Sequence, residues 1–208
     1  MSVPRPTRVE IDLAALRHNF QEIQCSVGAH CDVLVVVKAN AYGHGVSVAL
    51  VEEGVELRGL GIEQPIVILG SVFPGQEADV LEHHLTPVLY DLTCARRLDS
   101  AACDAGQTID YHLKVDTGMG RLGFRTERLD EVLPALKSLK NLNMTGLMSH
   151  LAVADEPERP LTGLQYEAFA GVVEKVEKFG FTPRYRHLAN SAGIYSHELT
   201  GCNLVRPG

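Results

Sequence analysis

The sequence predicts an α/β fold: a (β/α)₈ TIM-barrel-like domain that is one strand short. Short apolar runs rich in β-branched residues alternate with helical patterns, which is typical of βαβ units and a parallel sheet. Seven such strands are predicted, and each is followed by polar or glycine-rich residues. This repetition favours a barrel over an open sheet.

The elements follow from local patterns in chain order. Strands are β-branched runs bounded by Gly, Pro or polar residues, and they are predicted at 33–37, 65–70, 86–90, 109–116, 143–149, 184–189 and 202–205, with a further short strand at 9–11. Helices have apolar residues spaced three or four apart, and they are predicted at 13–23 with Asp12 as the cap, and at 46–57, 92–102, 129–139 and 164–179.

Composition limits the classes of function. The 208 residues are 45% hydrophobic and 22% charged, which fits one globular domain over residues 1–208. The net charge is −7 and no basic block is present, so neither nucleic acid nor an anionic membrane is an expected partner. No signal sequence or metal-ligand spacing is seen, and five scattered cysteines favour a reducing compartment. A cytoplasmic protein without a metal is therefore expected.

Lys38 is the first candidate for chemistry. It ends the apolar strand at 33–37 and begins a glycine-rich turn at 39–45. Burial lowers the pKa of a lysine, and a neutral amine is a nucleophile suited to forming a Schiff base. The alternative is a strand-end lysine whose stem lies on apolar surface while its ammonium group reaches solvent.

Polar residues at the ends of the other strands form a larger candidate site. In a barrel the carboxyl ends of the strands meet at one face, which would bring together Lys38, Tyr42, Lys114, Asp116, Arg121, Ser149, His150, the segment 187–193 and the segment 206–208. Each has a structural alternative, such as Lys114 as a surface charge, His150 as a core histidine and Asn190 as a helix cap. Their combination favours a functional site.

Two motifs bear on the cofactor. Residues 118–123 match GxGxxG, but no helix follows at once, so a nicotinamide cofactor is not expected. Asn190, Ser191 and Gly208 follow the last strands, where barrels commonly bind phosphate, and Tyr42 could add a hydrogen bond. A phosphate site facing a Schiff-base lysine is what pyridoxal 5'-phosphate (PLP) requires.

Five segments resemble the alanine racemase family. They are residues 37–45, 112–124, 146–152, 187–193 and 205–208. The resemblance implies a PLP-dependent isomerase that interconverts L-alanine and D-alanine for peptidoglycan precursors, in a bacterial cytoplasm and as a homodimer.

The resemblance also implies roles for individual residues. Lys38 would bind PLP and act as one of two bases. The phosphate would be held by Tyr42, Ser191 and Gly208. Arg206 would bind the pyridine nitrogen with support from His150, and Asn190 would line the site. Arg121 would contact the substrate carboxylate, oriented by Lys114 if that lysine is carbamylated.

The chain also departs from the family. A helix–strand–helix passage of the family is replaced by residues 46–57, so its second barrel strand is expected to be absent near residue 50. A β-rich C-terminal domain, which supplies a second base across the homodimer, is expected to be absent beyond Gly208. Two alternatives stay open: a non-catalytic, single-domain PLP-binding protein of PLP homeostasis, against which Lys114, Arg121 and Asn190 argue, and a truncated gene product without a stable fold.

Overall fold

The structure, a computed structural model, describes residues 12–36 and 45–208. Lys38, Tyr42 and the strand predicted at 9–11 lie outside the described residues, so the predictions for them stay predictions.

Parallel strands form the centre of the molecule. The described residues contain β1 (Asp32–Val33), β2 (Val35–Val36), β3 (Val46–Val48), β4 (Ile66–Ile68), β5 (Leu85–Leu89), β6 (Ile109–Asp116), β7 (Phe124–Arg125), β8 (Leu142–Met148), β9 (Tyr185–His187) and β10 (Leu204–Val205). One ladder runs in the order β2-β3-β4-β5-β6-β8-β9, with β7 beside β6, and a second pairs β1 with β10. Every pair is parallel.

The two ladders belong to one curled sheet. Only Leu34 separates β1 from β2, and its N–H donates to Val205 O at 2.8 Å. At the other side of β10, the N–H of Arg206 donates to Ala189 O, just beyond β9, at 3.0 Å. The hydrogen bonds therefore lead from β10 back to the start of the sheet, and the TIM-barrel-like class is confirmed.

Helices pack around the strands. They are α1 (Leu13–Val27), α2 (Val51–Gly59), α3 (Glu77–Glu82), α4 (Leu92–Ala105), α5 (Leu129–Ser138), α6 (Leu161–Lys178) and α7 (Ser191–Ser196). As predicted, Asp12 caps α1: its carboxylate accepts from the N–H groups of Ala14 and Ala15. Helices α3 and α7, each of six residues, were not predicted. Among the helices described, none combines the length and apolarity that crossing a bilayer requires.

The core has two layers, and these decide which side chains reach the barrel interior. Ile109, Tyr111, Leu113 and Val115 of β6 pack in the large cluster shared with the helices. A smaller cluster comes from the strand layer alone and contains Leu34, Val67, Val88, Met148 and Leu204. Because side chains of a strand alternate between its faces, His112 and Lys114 point to the barrel interior.

The prediction of one helix over 46–57 and of a missing second strand is wrong. Val46–Val48 forms β3, which pairs with β2 on one side and β4 on the other, and α2 begins only at Val51. The three strand residues are at most 3% exposed, so both faces of β3 are covered. A Val-Ser-Val segment suits a short buried strand. The apolar residues of α2 follow it so closely that their helical spacing can be counted from Val46 onward. The second barrel position is therefore occupied.

The placement of β3 can be tested by two truncations in neighbouring residues. Val48→Ala should lower the free energy of unfolding by about 2 kcal/mol, because it removes methyl groups from a fully packed position. Leu50→Ala, at a side chain that is 43% exposed, should lower it by less than about 1 kcal/mol. Urea denaturation followed by circular dichroism measures both. Equal losses would contradict the buried strand.

Candidate active site

The carboxyl ends of β6, β8 and β10 bring together four of the predicted residues: Lys114, Arg121, His150 and Arg206. The charges of Arg121 and Arg206 both lower the pKa of Lys114. The charges of Arg121, Arg206 and Lys114 lower the pKa of His150. The four side chains therefore lie close to one another. Arg121 is exposed, whereas Arg206 is only 4% exposed. The site therefore has a solvent-facing cation and a buried one.

Among the described residues, the hydrogen-bond partners of Arg206 are all neutral groups. Its Nη1 bonds to His187 Nδ1 at 2.7 Å, and its Nη2 donates to Ser149 O at 2.7 Å and Leu188 O at 3.3 Å. The Nη2 group also lies 3.2 Å from His150 Nδ1. This confines the planar guanidinium to one orientation at the end of β10.

These contacts fix the proton positions of two buried histidines. A guanidinium can only donate, so His187 Nδ1 must accept and the His187 proton lies on Nε2. His187 Nε2 is 2.9 Å from His112 Nδ1, which must therefore accept in turn. The proton of His112 then lies on its Nε2. The row Arg206–His187–His112 thus has a single direction of donation.

Burial keeps the three histidines neutral. It is the main cause that lowers the pKa of His112 to about 3 and of His150 to about 4, and the positive charge of Arg206 lowers both further. The pKa of His187 lies well below its ordinary value for the same two reasons. Burial lowers the pKa of Arg206 to about 10, so this residue stays charged at neutral pH.

A bulge and a glycine make room for the His112 ring. The register of β6 and β8 shifts between Tyr111 and His112, where Thr145 is the extra residue, and Gly146 lies opposite His112. A Cβ atom added to Gly146 would lie 2.3 Å from Cδ2 of the His112 ring. Glycine is therefore required at this position.

Lys114 lies buried near two arginines. Burial is the main cause that lowers its pKa to about 8, followed by the charges of Arg206 and Arg121, while Asp116 acts in the opposite direction. The Asp116 carboxylate also accepts from the N–H groups of Gly118, Met119 and Gly120, at 2.9–3.1 Å. Asp116 thereby organises the turn that leads to Arg121.

Ser191 and Gly208 meet at the end of the last two strands. The N–H of Gly208 donates to Ser191 Oγ at 3.1 Å, and that hydroxyl is 3.2 Å from Gly208 O. A Cβ on Gly208 would lie 2.7 Å from Val36 Cβ, so the backbone approaches β2 closely. Asn190 caps α7, since its Oδ1 accepts from Gly193 N at 3.0 Å. The side-chain hydrogen bond seen for Asn190 is thus the helix-capping bond, which is the structural alternative to a role in the site.

Two residues near the site were not predicted as site residues. His112 could have been found from the alternation of β6, which places it between Asp110 and Lys114 on one face. Gln165 of α6 is fully buried: its Oε1 accepts from Ala152 N and its Nε2 donates to His150 O, both at 2.9 Å. A glutamine on the apolar face of a helix was the available signal. No three His, Cys, Asp or Glu side chains in residues 12–36 and 45–208 are grouped so that they could hold a metal ion.

The fold and site define a class of protein, a TIM-barrel-like domain with its polar site at the carboxyl ends of parallel strands. The family described as "Alanine racemase, N-terminal domain" matches residues 11–208. The chain therefore belongs to the alanine racemase family, and the predicted resemblance is confirmed. This family depends on PLP.

Individual alanine racemases are similar to nearly the whole of this chain. An alanine racemase from Geobacter sp. (strain M21) is 46% identical over 224 residues, which cover 98% of this chain and 59% of that protein. The alanine racemase of Geobacter sulfurreducens is 43% identical, with 98% and 58% covered. The crystal structure of alanine racemase from D-cycloserine-producing Streptomyces lavendulae superposes with a TM-score of 0.89 at 33% identity, covering 99% of this chain and 59% of that one. The chain thus spans a little under three fifths of these relatives.

The described residues fit two groups of PLP. A hydroxyl and a backbone N–H meet at Ser191 and Gly208, and such donors suit a phosphate. The guanidinium of Arg206 has only neutral partners among its described contacts, which suits an acceptor such as a pyridine nitrogen.

The fit of Gly146 against His112 predicts a large effect of one methyl group. Gly146→Ala should lower the free energy of unfolding by about 3 kcal/mol, because the ring or the strand must move. Gly171→Ala is the matched control: nothing lies within 4 Å of its Cβ position in α6, so it should be neutral or stabilise by up to about 1 kcal/mol. Urea denaturation of both variants gives the comparison. Equal stability of the two would show that the His112 ring is not packed as described.

The neutral histidines predict a loss of stability in mild acid. Histidines of the unfolded chain take up protons near pH 6.5, whereas folded His112, His150 and His187 do not. The free energy of unfolding therefore keeps its full value above about pH 6.5 and falls as the pH drops below it. Between pH 6.5 and 5 each should contribute up to about 1.4 kcal/mol per pH unit. Urea denaturation across this window measures the slope, and His112→Gln should reduce it. A flat profile would contradict neutral buried histidines.

Proposed function

We propose that the chain is the cofactor-binding barrel of a PLP-dependent alanine racemase, an isomerase that interconverts L-alanine and D-alanine. The observation that carries this proposal is the buried Arg206, presented at the carboxyl ends of the strands by neutral partners. PLP, when bound, withdraws electrons from the α-carbon of an amino acid and so makes its α-proton easier to remove.

The cofactor would be held at three points. Lys38 would hold it covalently, and its phosphate would be held by Tyr42, Ser191 and the N–H of Gly208. Arg206 would donate a hydrogen bond to the ring nitrogen and would keep its own proton, since its pKa is about 10. A ring nitrogen that accepts a hydrogen bond without gaining a proton would withdraw electrons less strongly. His150 supports Arg206, and Asn190 lines the site.

Lys114 and Arg121 would handle the substrate. With a pKa of about 8, an appreciable fraction of Lys114 is neutral at pH 7.5 and can add CO₂, giving a carbamate and releasing one proton. The carbamate places a negative charge in the neighbourhood of Arg121 and Arg206. Arg121 would then be oriented to bind the carboxylate of alanine.

Racemisation requires a base on each face of the α-carbon. Lys38 serves one face. We propose that the second base, a tyrosine, comes from the C-terminal region of the family across a homodimer interface, and that the protein works in the cytoplasm without nucleic acid or membrane partners. The alternative of a non-catalytic PLP-binding protein is not favoured, because the relatives are alanine racemases.

The proposal is tested by exchange of the α-proton in deuterated water. The chain with added PLP should exchange the α-proton of D-alanine, the face proposed for Lys38, as followed by proton NMR. Lys38→Ala should abolish the exchange, whereas Glu127→Gln, a change at an exposed carboxylate, should not alter it.

The outcome separates the proposed function from its alternative. Loss of the PLP absorbance change in Lys38→Ala checks that this lysine binds the cofactor. Uptake of PLP without exchange on either enantiomer would overturn catalysis by this chain and support the binding protein.

A further inference from the structure

A cavity lies at the opposite end of the barrel from the site just described. It has a volume of about 200 Å³ and opens among the residues that begin the strands. Its inner wall is apolar and includes Leu34, Val67 and Leu204 of the smaller core cluster. This volume corresponds to roughly six or seven water molecules, so the cavity can hold a molecule of about six to eight heavy atoms.

A buried hydrogen-bond donor lines this cavity. His112 is one of its lining residues and is 3% exposed. The bonding order from Arg206 through His187 places the His112 proton on Nε2. Within the described part of the chain no hydrogen bond from that N–H is seen, and Nε2 is not one of the fully buried polar atoms that lack a partner, so this N–H is open to the cavity. A donor that faces a cavity with an apolar inner wall can bond to an acceptor atom of an occupant, which would stabilise that occupant there.

The rim of the cavity has charges of both signs. Asp32 and Asp110 lie on it, together with Arg184. The Arg184 guanidinium is 4.9 Å from the centre of the Tyr185 ring, and Asp110 Oδ1 accepts from Asn143 Nδ2 at 2.6 Å. None of the three charged groups forms an ion pair with another residue of the described ranges. The rim therefore offers partners for a cationic group and for an anionic group.

We infer that this cavity binds a small zwitterionic α-amino acid with an aliphatic side chain. The ammonium group pairs with Asp32 and Asp110, and the carboxylate is shared between Arg184 and the N–H of His112. The aliphatic side chain contacts Leu34 and Val67. This site is separate from the cofactor site and does not rest on the activity proposed above.

The test is a titration of the full chain with L-valine, measured by calorimetry. Two matched ligands each lack one charge: isobutylamine has no carboxylate, and 3-methylbutanoate has no ammonium group. L-Valine should bind at least about tenfold more tightly than either, because each loses a charged contact. Equal affinity of all three, or no heat at millimolar L-valine, would overturn the inference.

Variants locate the binding. Asp110→Asn and Arg184→Gln change exposed rim residues and should each weaken L-valine binding about tenfold. Arg121→Gln changes the opposite end of the barrel and should leave it unchanged. Circular dichroism checks that all three fold. If Arg121→Gln abolishes binding while the rim variants have no effect, L-valine occupies the other site and the inference is wrong.

Discussion

Burial of the positive charge of Arg206 is the constraint on which the barrel interior depends. A guanidinium cannot give up its proton, so every group around it must accept, and its described partners are two imidazoles and two carbonyls. The acceptor role forced on His187 makes it a donor to His112. The room for the His112 ring in turn excludes any side chain at Gly146. The charge of Arg206 thus determines where the protons of His187 and His112 lie and, through the His112 ring, requires a glycine at position 146. These three residues belong to β9, β6 and β8.

The same charge explains which chemical groups are favoured at the carboxyl ends of the strands. Arg206 has no carboxylate among its described partners, and a second arginine and an ionisable lysine lie nearby. A buried cation without an anionic partner is costly, so groups that bring negative charge to this end of the barrel are stabilised there. A phosphate, a substrate carboxylate and a carbamate on Lys114 all meet this condition. The excess of acidic residues in the whole chain gives no hint of it, because the local arrangement and not the net charge sets the field.

Alternation along the chain was enough to predict the barrel and the end at which its polar residues meet, because both follow from local periodicity. It failed at Val46–Val48, since three residues are too few to show a period of their own beside α2. The motifs predicted Arg206 and Lys114 as site residues, and the structure places the two near each other. They could not identify the donation from His187 to His112 or the bridge formed by Gln165, because those depend on strand register and on the distance between separate elements. The roles of Lys38 and Tyr42 stay predictions.

Thr145, the extra residue of the bulge, determines which residues of β8 face the barrel interior. Beyond it, Gly146, Met148 and His150 occupy the positions that face inward, whereas without it the odd-numbered positions would face inward instead. Deletion of Thr145 would turn His150 away from Arg206 and direct Leu147 into the interior. Natural variation in chain length should therefore be tolerated in the loops that follow α5 and α6 but not in this strand, where a change of one residue exchanges the inner and outer faces.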